Sequence, residues 1–219
     1  MKTETDELSN SAFGLYLVIT HPRTSFETCA EAAVQARVRY VQLRMKEASR
    51  EEILREAKKI RSITAGTNTL FIVNDDPSIA DEVDADGVHL GQTDMLPAEA
   101  RRLYPKLKHI GLSTHSFSQA QKALLQAPDT IGVGPVFTTP TKKIPDPVLG
   151  CTEAGRIIKS VEIPAIAIGG IDAGTLPAVL AAGAVNFAVV RDVCSSPHPY
   201  DAIRRLIDIW EARSCRTQA

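Results

Sequence analysis

Eight short apolar runs, each followed by a polar, helix-prone stretch, recur from end to end of this 219-residue chain. They cover residues 15–20, 40–43, 70–73, 87–90, 109–112, 130–133, 165–168 and 187–190. The runs are almost continuously apolar rather than alternating, which is the pattern of parallel strands buried on both faces. Between them lie amphipathic stretches. Residues 50–63, for example, carry Ile53, Leu54, Ala57 and Ile60 on one helical face. Similar patterns occupy 118–125, 153–160, 175–182 and, after the last run, 200–213. Eight β-then-α units in this length predict an α/β fold, a single (β/α)8 TIM barrel. A doubly wound open sheet is the alternative, but it needs a topological switch point and seldom repeats so evenly.

No Gly/Pro/Ser-rich linker divides the sequence, so one barrel domain is expected over 13–213, with tails at 1–12 and 214–219. A formal net charge of −1 argues against nucleic-acid binding, which would show a basic excess. No apolar stretch approaches the roughly 20 residues of a membrane span. The start, Met1 to Asn10, is polar and acidic, unlike a secretory signal or an Arg-rich transit peptide. A cytoplasmic protein is expected. Cys29, Cys151, Cys194 and Cys215 are widely spaced without a C-x-x-C pattern, as for reduced structural thiols.

In a barrel of this kind active sites sit where strands end and βα loops begin. The chemistry of those positions is consistent from strand to strand. After the second run come Arg44 and Lys46, whose i, i+2 spacing puts both cations on one side of an extended segment. They would repel unless an anion such as a diphosphate lay between them; the plainer alternative is an ion pair to Glu47 or Asp75. The third run ends in Asn74-Asp75-Asp76, where adjacent side chains diverge. One aspartate can face the axis while the other caps a helix starting near Pro77. Gln92 and Asp94 repeat the pattern after the fourth run. Oxygen ligands of this kind suit a hard cation such as Mg²⁺, which commonly takes one or two carboxylates plus substrate phosphates.

Ser113 after the fifth run can donate to a phosphate oxygen, and His115 near it has the chemistry of an acid–base, though a lone histidine beside a helix start is more often structural. The long segment from Phe137 to Gly150 carries Thr138, Thr139 and Thr141 followed by Lys142 and Lys143, the composition of a phosphate cradle. Gly169 and Gly170 after the seventh run offer unhindered backbone N–H groups, and Arg191-Asp192 after the eighth opens a helical turn. Two phosphate sites are implied, one metal-assisted and one metal-free.

Together, Gln42-Leu43-Arg44-x-Lys46, Val73-Asn74-Asp75-Asp76, Asp86-Gly87-Val88-His89-Leu90-Gly91-Gln92-x-Asp94, Ser113-x-His115, Gly134-Pro135-Val136-Phe137-x-Thr139-x-Thr141-Lys142-Lys143 and Ile168-Gly169-Gly170-Ile171 resemble the thiamine phosphate synthase family. The resemblance runs from about Leu15 to Trp210. It implies condensation of a hydroxymethylpyrimidine diphosphate with a thiazole phosphate to give thiamine phosphate and pyrophosphate. It assigns Mg²⁺ to Asp75 and Asp94. Gln42, Arg44, Lys46, Asn74, Ser113 and Lys142 would hold the pyrimidine diphosphate, with Arg44, Lys46, Ser113 and Lys142 as the catalytic set. Thr139, Thr141, Gly170, Val190 and Arg191 would hold the thiazole phosphate. Partners are then small-molecule substrates alone. Oligomeric state stays open, a homodimer included.

Two positions depart from the family. Many members have Ser where this chain has Arg191, and an acidic residue is common where it has Thr20-His21-Pro22. Two other functions fit the same scaffold. A thiazole tautomerase would use a histidine such as His115 and would not need the metal-site carboxylates. A non-catalytic phosphate-binding regulator would show a damaged motif.

Overall fold

Strand β1 (Leu15–Ile19) is buried along its entire length, as only a strand covered on both faces can be. The computed structural model describes residues 12–141 and 146–213. The other strands are β2 (Tyr40–Leu43), β3 (Leu70–Asn74), β4 (Gly87–Leu90), β5 (His109–Thr114), β6 (Thr130–Val133), β7 (Ala165–Ile168) and β8 (Asn186–Val189). Of these, β2, β6 and β8 are buried in the same way, while β3, β4, β5 and β7 are buried except at one or two positions each. Each strand pairs in parallel with the next, and β8 pairs with β1, closing the barrel in sequence order. The expected architecture is the observed one. Among the described residues, no helix is long and apolar enough to cross a membrane.

Alternation along the strands sorts the core into two layers. Leu17, Val41, Phe71, Val88, Ile110, Ile131, Ala167 and Phe187 face outward and pack with helix residues such as Cys29, Ala57 and Ile203. Tyr16, Val18, Tyr40, Ile72, Ile166 and Ala188 form a separate cluster inside the barrel. The helices are α1 (Phe26–Gln35), α2 (Arg50–Thr64), α3 (Pro77–Glu82), α4 (Pro97–Leu103), α5 (Phe117–Leu124), α6 (Gly150–Lys159), α7 (Leu176–Ala181), α8 (Arg191–Cys194) and α9 (Pro199–Glu211). Local chemistry starts several of them. Ser49 and Glu52 form a reciprocal capping box on α2, and the Ser116 hydroxyl accepts from Gln119 N on α5. Helix α1 is the longest of those that apolar periodicity did not mark. Its buried face consists of Cys29, Ala30, Ala32 and Ala33, small side chains that give little contrast.

The floor of the barrel is aromatic and polar. Tyr40 stacks on Tyr16 at 5.3 Å between ring centroids and meets His109 at 4.9 Å. His109 Nε2 lies 3.1 Å from Thr130 Oγ1. The Asn186 carboxamide accepts from the backbone N–H groups of Phe13 and Gly14 at 2.8 and 3.1 Å, fixing where the chain enters under the barrel. The last helix returns to the same end, where Trp210 Nε1 donates to Val185 O at 2.8 Å.

Burial carries an electrostatic cost for His109, which is only 7% exposed. Loss of hydration pulls its pKa from 6.5 down to about 4, with Asp129 opposing the shift. In the unfolded chain this imidazole takes up a proton near pH 6.5, whereas the folded chain resists until about pH 4. The native state is therefore stabilised above pH 6.5 and loses up to about 3 kcal/mol as pH falls toward 4. Denaturant unfolding at pH 7.5 and pH 4.5 should show a smaller loss for His109→Gln than for the unaltered chain. Equal losses would remove His109 as the cause.

Candidate active site

A cavity of about 610 Å³ opens at the carboxyl ends of the strands. The strand-end logic explains its lining, since inward-facing positions at the top of each strand have no apolar neighbour above them. Gln42 and Arg44 come from β2 and its end, Asn74 from β3, Ser113 from β5, and Val190 and Arg191 from the end of β8 and the start of α8. Lys46, Asp75, Asp94, Thr139, Thr141 and Gly170 join them from the loops. The candidate substrate and metal residues thus border one cavity except Lys142, which lies outside the described residues, as do Lys143 and Cys215; Thr138 of the expected cradle does not line it.

The acidic pair is set by backbone geometry. Asp75 takes a left-handed conformation, φ 69°, at the turn after β3, a region uncommon for non-glycine residues but one that aspartate enters more readily than most. That turn separates the two aspartates. The Asp76 side chain leaves the cavity and caps α3, accepting from Ser78 N at 2.8 Å and Ile79 N at 3.1 Å. The Asp75 carboxylate enters the cavity and forms an ion pair with Lys46. Burial raises its pKa above the usual carboxylate range; Lys46 opposes this, and the neighbouring Asp94 carboxylate adds to it. Asp94 itself accepts from Gly91 N at 2.7 Å, which holds it toward Asp75.

Two facing carboxylates beside cations form a donor set that suits a hard divalent cation completed by ligand oxygens. Among the described residues no cluster of three or more His, Cys, Asp or Glu could enclose a metal alone. Arg44 is half-buried, and burial pulls its pKa below the ordinary guanidinium value, with Asp75 partly restoring it. Among the described residues, neither the Arg44 nor the Arg191 guanidinium makes an ion pair or a hydrogen bond, though the Arg44 backbone N–H donates to Ile19 O at 3.0 Å. Two cavity-facing guanidinium groups, with Asp75 near one of them, suit an anionic ligand.

Across the cavity the loops after β6 and β7 are laced together. Val136 N donates to Ile168 O and Phe137 N to Gly169 O, both at 2.9 Å. Gly170 has φ 66°, and a Cβ there would lie 2.7 Å from Thr138 O, so the loop closes only around glycine. Thr139 Oγ1 and Thr141 Oγ1 lie 3.0 Å apart on this rim. His115 is held on two sides, its Nδ1 2.7 Å from Gly134 O and its Nε2 3.4 Å from Asp146 Oδ2.

Sequence reasoning assigned no role to His89, which also lines the cavity. Its Nε2 lies 2.9 Å from Ser113 Oγ. Tyr16, a floor residue whose phenol is pushed up by burial, accepts from Gln42 Nε2 at 3.3 Å. Both residues sit within runs that read as plain apolar strands, and only strand register shows that they point inward. Cys29 and Cys194 are buried away from the cavity, with Cys194 Sγ 3.5 Å from Val18 O.

Residues 15–193 match the family model described as thiamine monophosphate synthase. A thiamine-phosphate synthase of Synechococcus sp. (strain WH7803) is 45% identical over 179 residues, covering 82% of this chain and 50% of that protein. One from Archaeoglobus fulgidus is 38% identical over 183 residues, covering 84% and 86%. This chain therefore spans about half the length of the Synechococcus relative and most of the Archaeoglobus one. Among solved structures, thiamine phosphate pyrophosphorylase from Pyrococcus furiosus superposes with a TM-score of 0.83 at 32% identity, covering 94% of this chain and 98% of that one.

The division of labour between Asp75 and Asp76 is directly measurable. Asp76→Ala should lower the unfolding free energy by about 1 kcal/mol through loss of the α3 cap. Asp75→Ala should do so less, because it removes a left-handed carboxylate rather than a cap. The reverse order in denaturant melts would contradict this assignment.

Proposed function

The chain belongs to the thiamine monophosphate synthase family, and from that premise we propose that it joins a hydroxymethylpyrimidine diphosphate to a thiazole phosphate. The products are thiamine phosphate and pyrophosphate. The observation that carries this reading is the charge arrangement at the cavity mouth, where Asp75, Asp94, Arg44 and Lys46 converge while no described cysteine lines the space. Such a site suits departure of an anionic leaving group better than attack by a protein nucleophile.

In this reading the pyrimidinylmethyl C–O bond breaks and both electrons leave with pyrophosphate. The thiazole nitrogen then gives its lone pair to the exposed carbon, forming the C–N bond. Arg44 and Lys46 neutralise charge as it builds on the leaving oxygens, and the Ser113 hydroxyl donates to one of them. Lys142 is assigned the same task from the sequence. Gln42 and Asn74 hold the pyrimidine diphosphate from the barrel side. Thr139, Thr141, Gly170, Val190 and Arg191 hold the thiazole phosphate from the opposite rim, which keeps the two reacting atoms in line. Asp75 and Asp94 would hold Mg²⁺, whose contribution when bound is positive charge beside the departing diphosphate.

The isomerase alternative needs a histidine free to shuttle protons. His115 has one ring nitrogen on the Gly134 carbonyl and the other facing Asp146, which favours the synthase. All the assigned residues come from one chain, so a homodimer is not required for the reaction. Free thiols at Cys29, Cys151 and Cys194 accord with a cytoplasmic setting.

Mixing the two substrates with Mg²⁺ and the protein should yield thiamine phosphate by mass, and its absence would refute the proposal. Asp75→Asn should cut turnover by about a hundredfold or more; full Mg²⁺-dependent pyrophosphate release would remove Asp75 from the metal site. Arg191→Ser should raise KM for the thiazole phosphate by roughly tenfold with little change in kcat. An unaltered KM would mean that Arg191 is not a ligand.

A further inference from the structure

We infer that His89 is a positioning residue for the reaction proposed above, donating its Nε2–H to Ser113 Oγ so that the serine hydroxyl proton is turned toward the departing diphosphate. The inference rests on that reading of the function and deepens it. Ser113 is gripped from two sides, its carbonyl accepting from Gln92 Nε2 at 2.6 Å and its hydroxyl lying 2.9 Å from His89 Nε2. A serine hydroxyl has a single proton to give. If Ser113 spent it on the imidazole, only oxygen lone pairs would face an anionic leaving group. If the imidazole donates, the proton is free for a diphosphate oxygen.

The imidazole is held in place against Ser113 by its packing. A Cβ at Gly111 would lie 2.4 Å from His89 Nδ1, and one at Gly132 would lie 3.6 Å from Cε1. The close approach at Gly111 thus leaves no room for a side chain there, while Gly132 meets the ring at ordinary contact distance. Tyr16 closes the slot from below, its ring edge-on with centroids 6.5 Å apart. A ring confined in this way has little rotational freedom, so its Nε2 stays on Ser113 Oγ.

Two measurements test the assignment. In ¹⁵N-histidine-labelled enzyme without substrates, with His89 assigned by comparison with His89→Gln, its neutral imidazole should carry the proton on Nε2. A proton on Nδ1 would overturn the inference. Kinetically, His89→Ala should lower kcat roughly ten- to a hundredfold with KM values within about threefold. His89→Gln keeps an N–H donor of similar reach and should recover most of the loss. In a Ser113→Ala background, His89→Ala should cost little more, because both changes remove one interaction. Additive losses, or His89→Gln no better than His89→Ala, would refute positioning through Ser113. Should His89→Ala fail to fold, the tautomer in the unaltered chain still decides. If the unaltered chain makes no thiamine phosphate but His89 carries its proton on Nε2, the reaction fails and the hydrogen-bond assignment stands.

Discussion

The molecule depends on one constraint, the closure of eight parallel strands into a ring whose first member pairs with its last. Closure removes every exposed strand edge and leaves each strand with two buried faces. Polar side chains are then admitted at few places. They can be satisfied inside the barrel by one another, as Tyr16 is by Gln42 and His109 by Thr130, or they can project from the strand ends. The cavity forms at the strand ends because that is where the apolar layers stop.

That constraint made much of the protein legible in its sequence. Continuous apolar runs located all the strands, and reading the polar residue after each run gathered Arg44, Asp75, Asp94, Ser113 and Arg191 around one space. The misreadings occur where backbone pairing and side-chain polarity part company. Strand β3 extends to Asn74 because that residue pairs with His89, and β5 extends to Thr114 through its pairing with Val133. Strand β8 begins at Asn186, a polar residue at 0% exposure that the apolar pattern excluded. Its burial is tolerated because backbone amides satisfy its carboxamide. His89 was hidden for a related reason. A histidine within an apolar run gives no sign of its direction, and the glycines that make room for it lie on other strands.

Charge at the cavity mouth is arranged in mutual opposition. Lys46 neutralises Asp75, Asp94 raises it, and burial holds Arg44 below its ordinary value. Each group alone would be poorly placed in a half-buried setting. They persist there because the barrel fixes their backbone positions, and Asp75 in particular occupies a left-handed turn that aspartate tolerates better than most side chains.

The entry of the chain beneath the barrel has a different kind of consequence. Asn186 grips the backbone at Phe13 and Gly14, and the closing helix brings Trp210 to Val185 at the same end. Both described termini therefore leave from the face opposite the cavity. A further module attached at either terminus would hang below the barrel and leave the route of small molecules into the mouth clear. For a fold that matches only 50% of its Synechococcus relative, this polarity makes the scaffold modular. Length can be added behind the chemistry without being threaded past it.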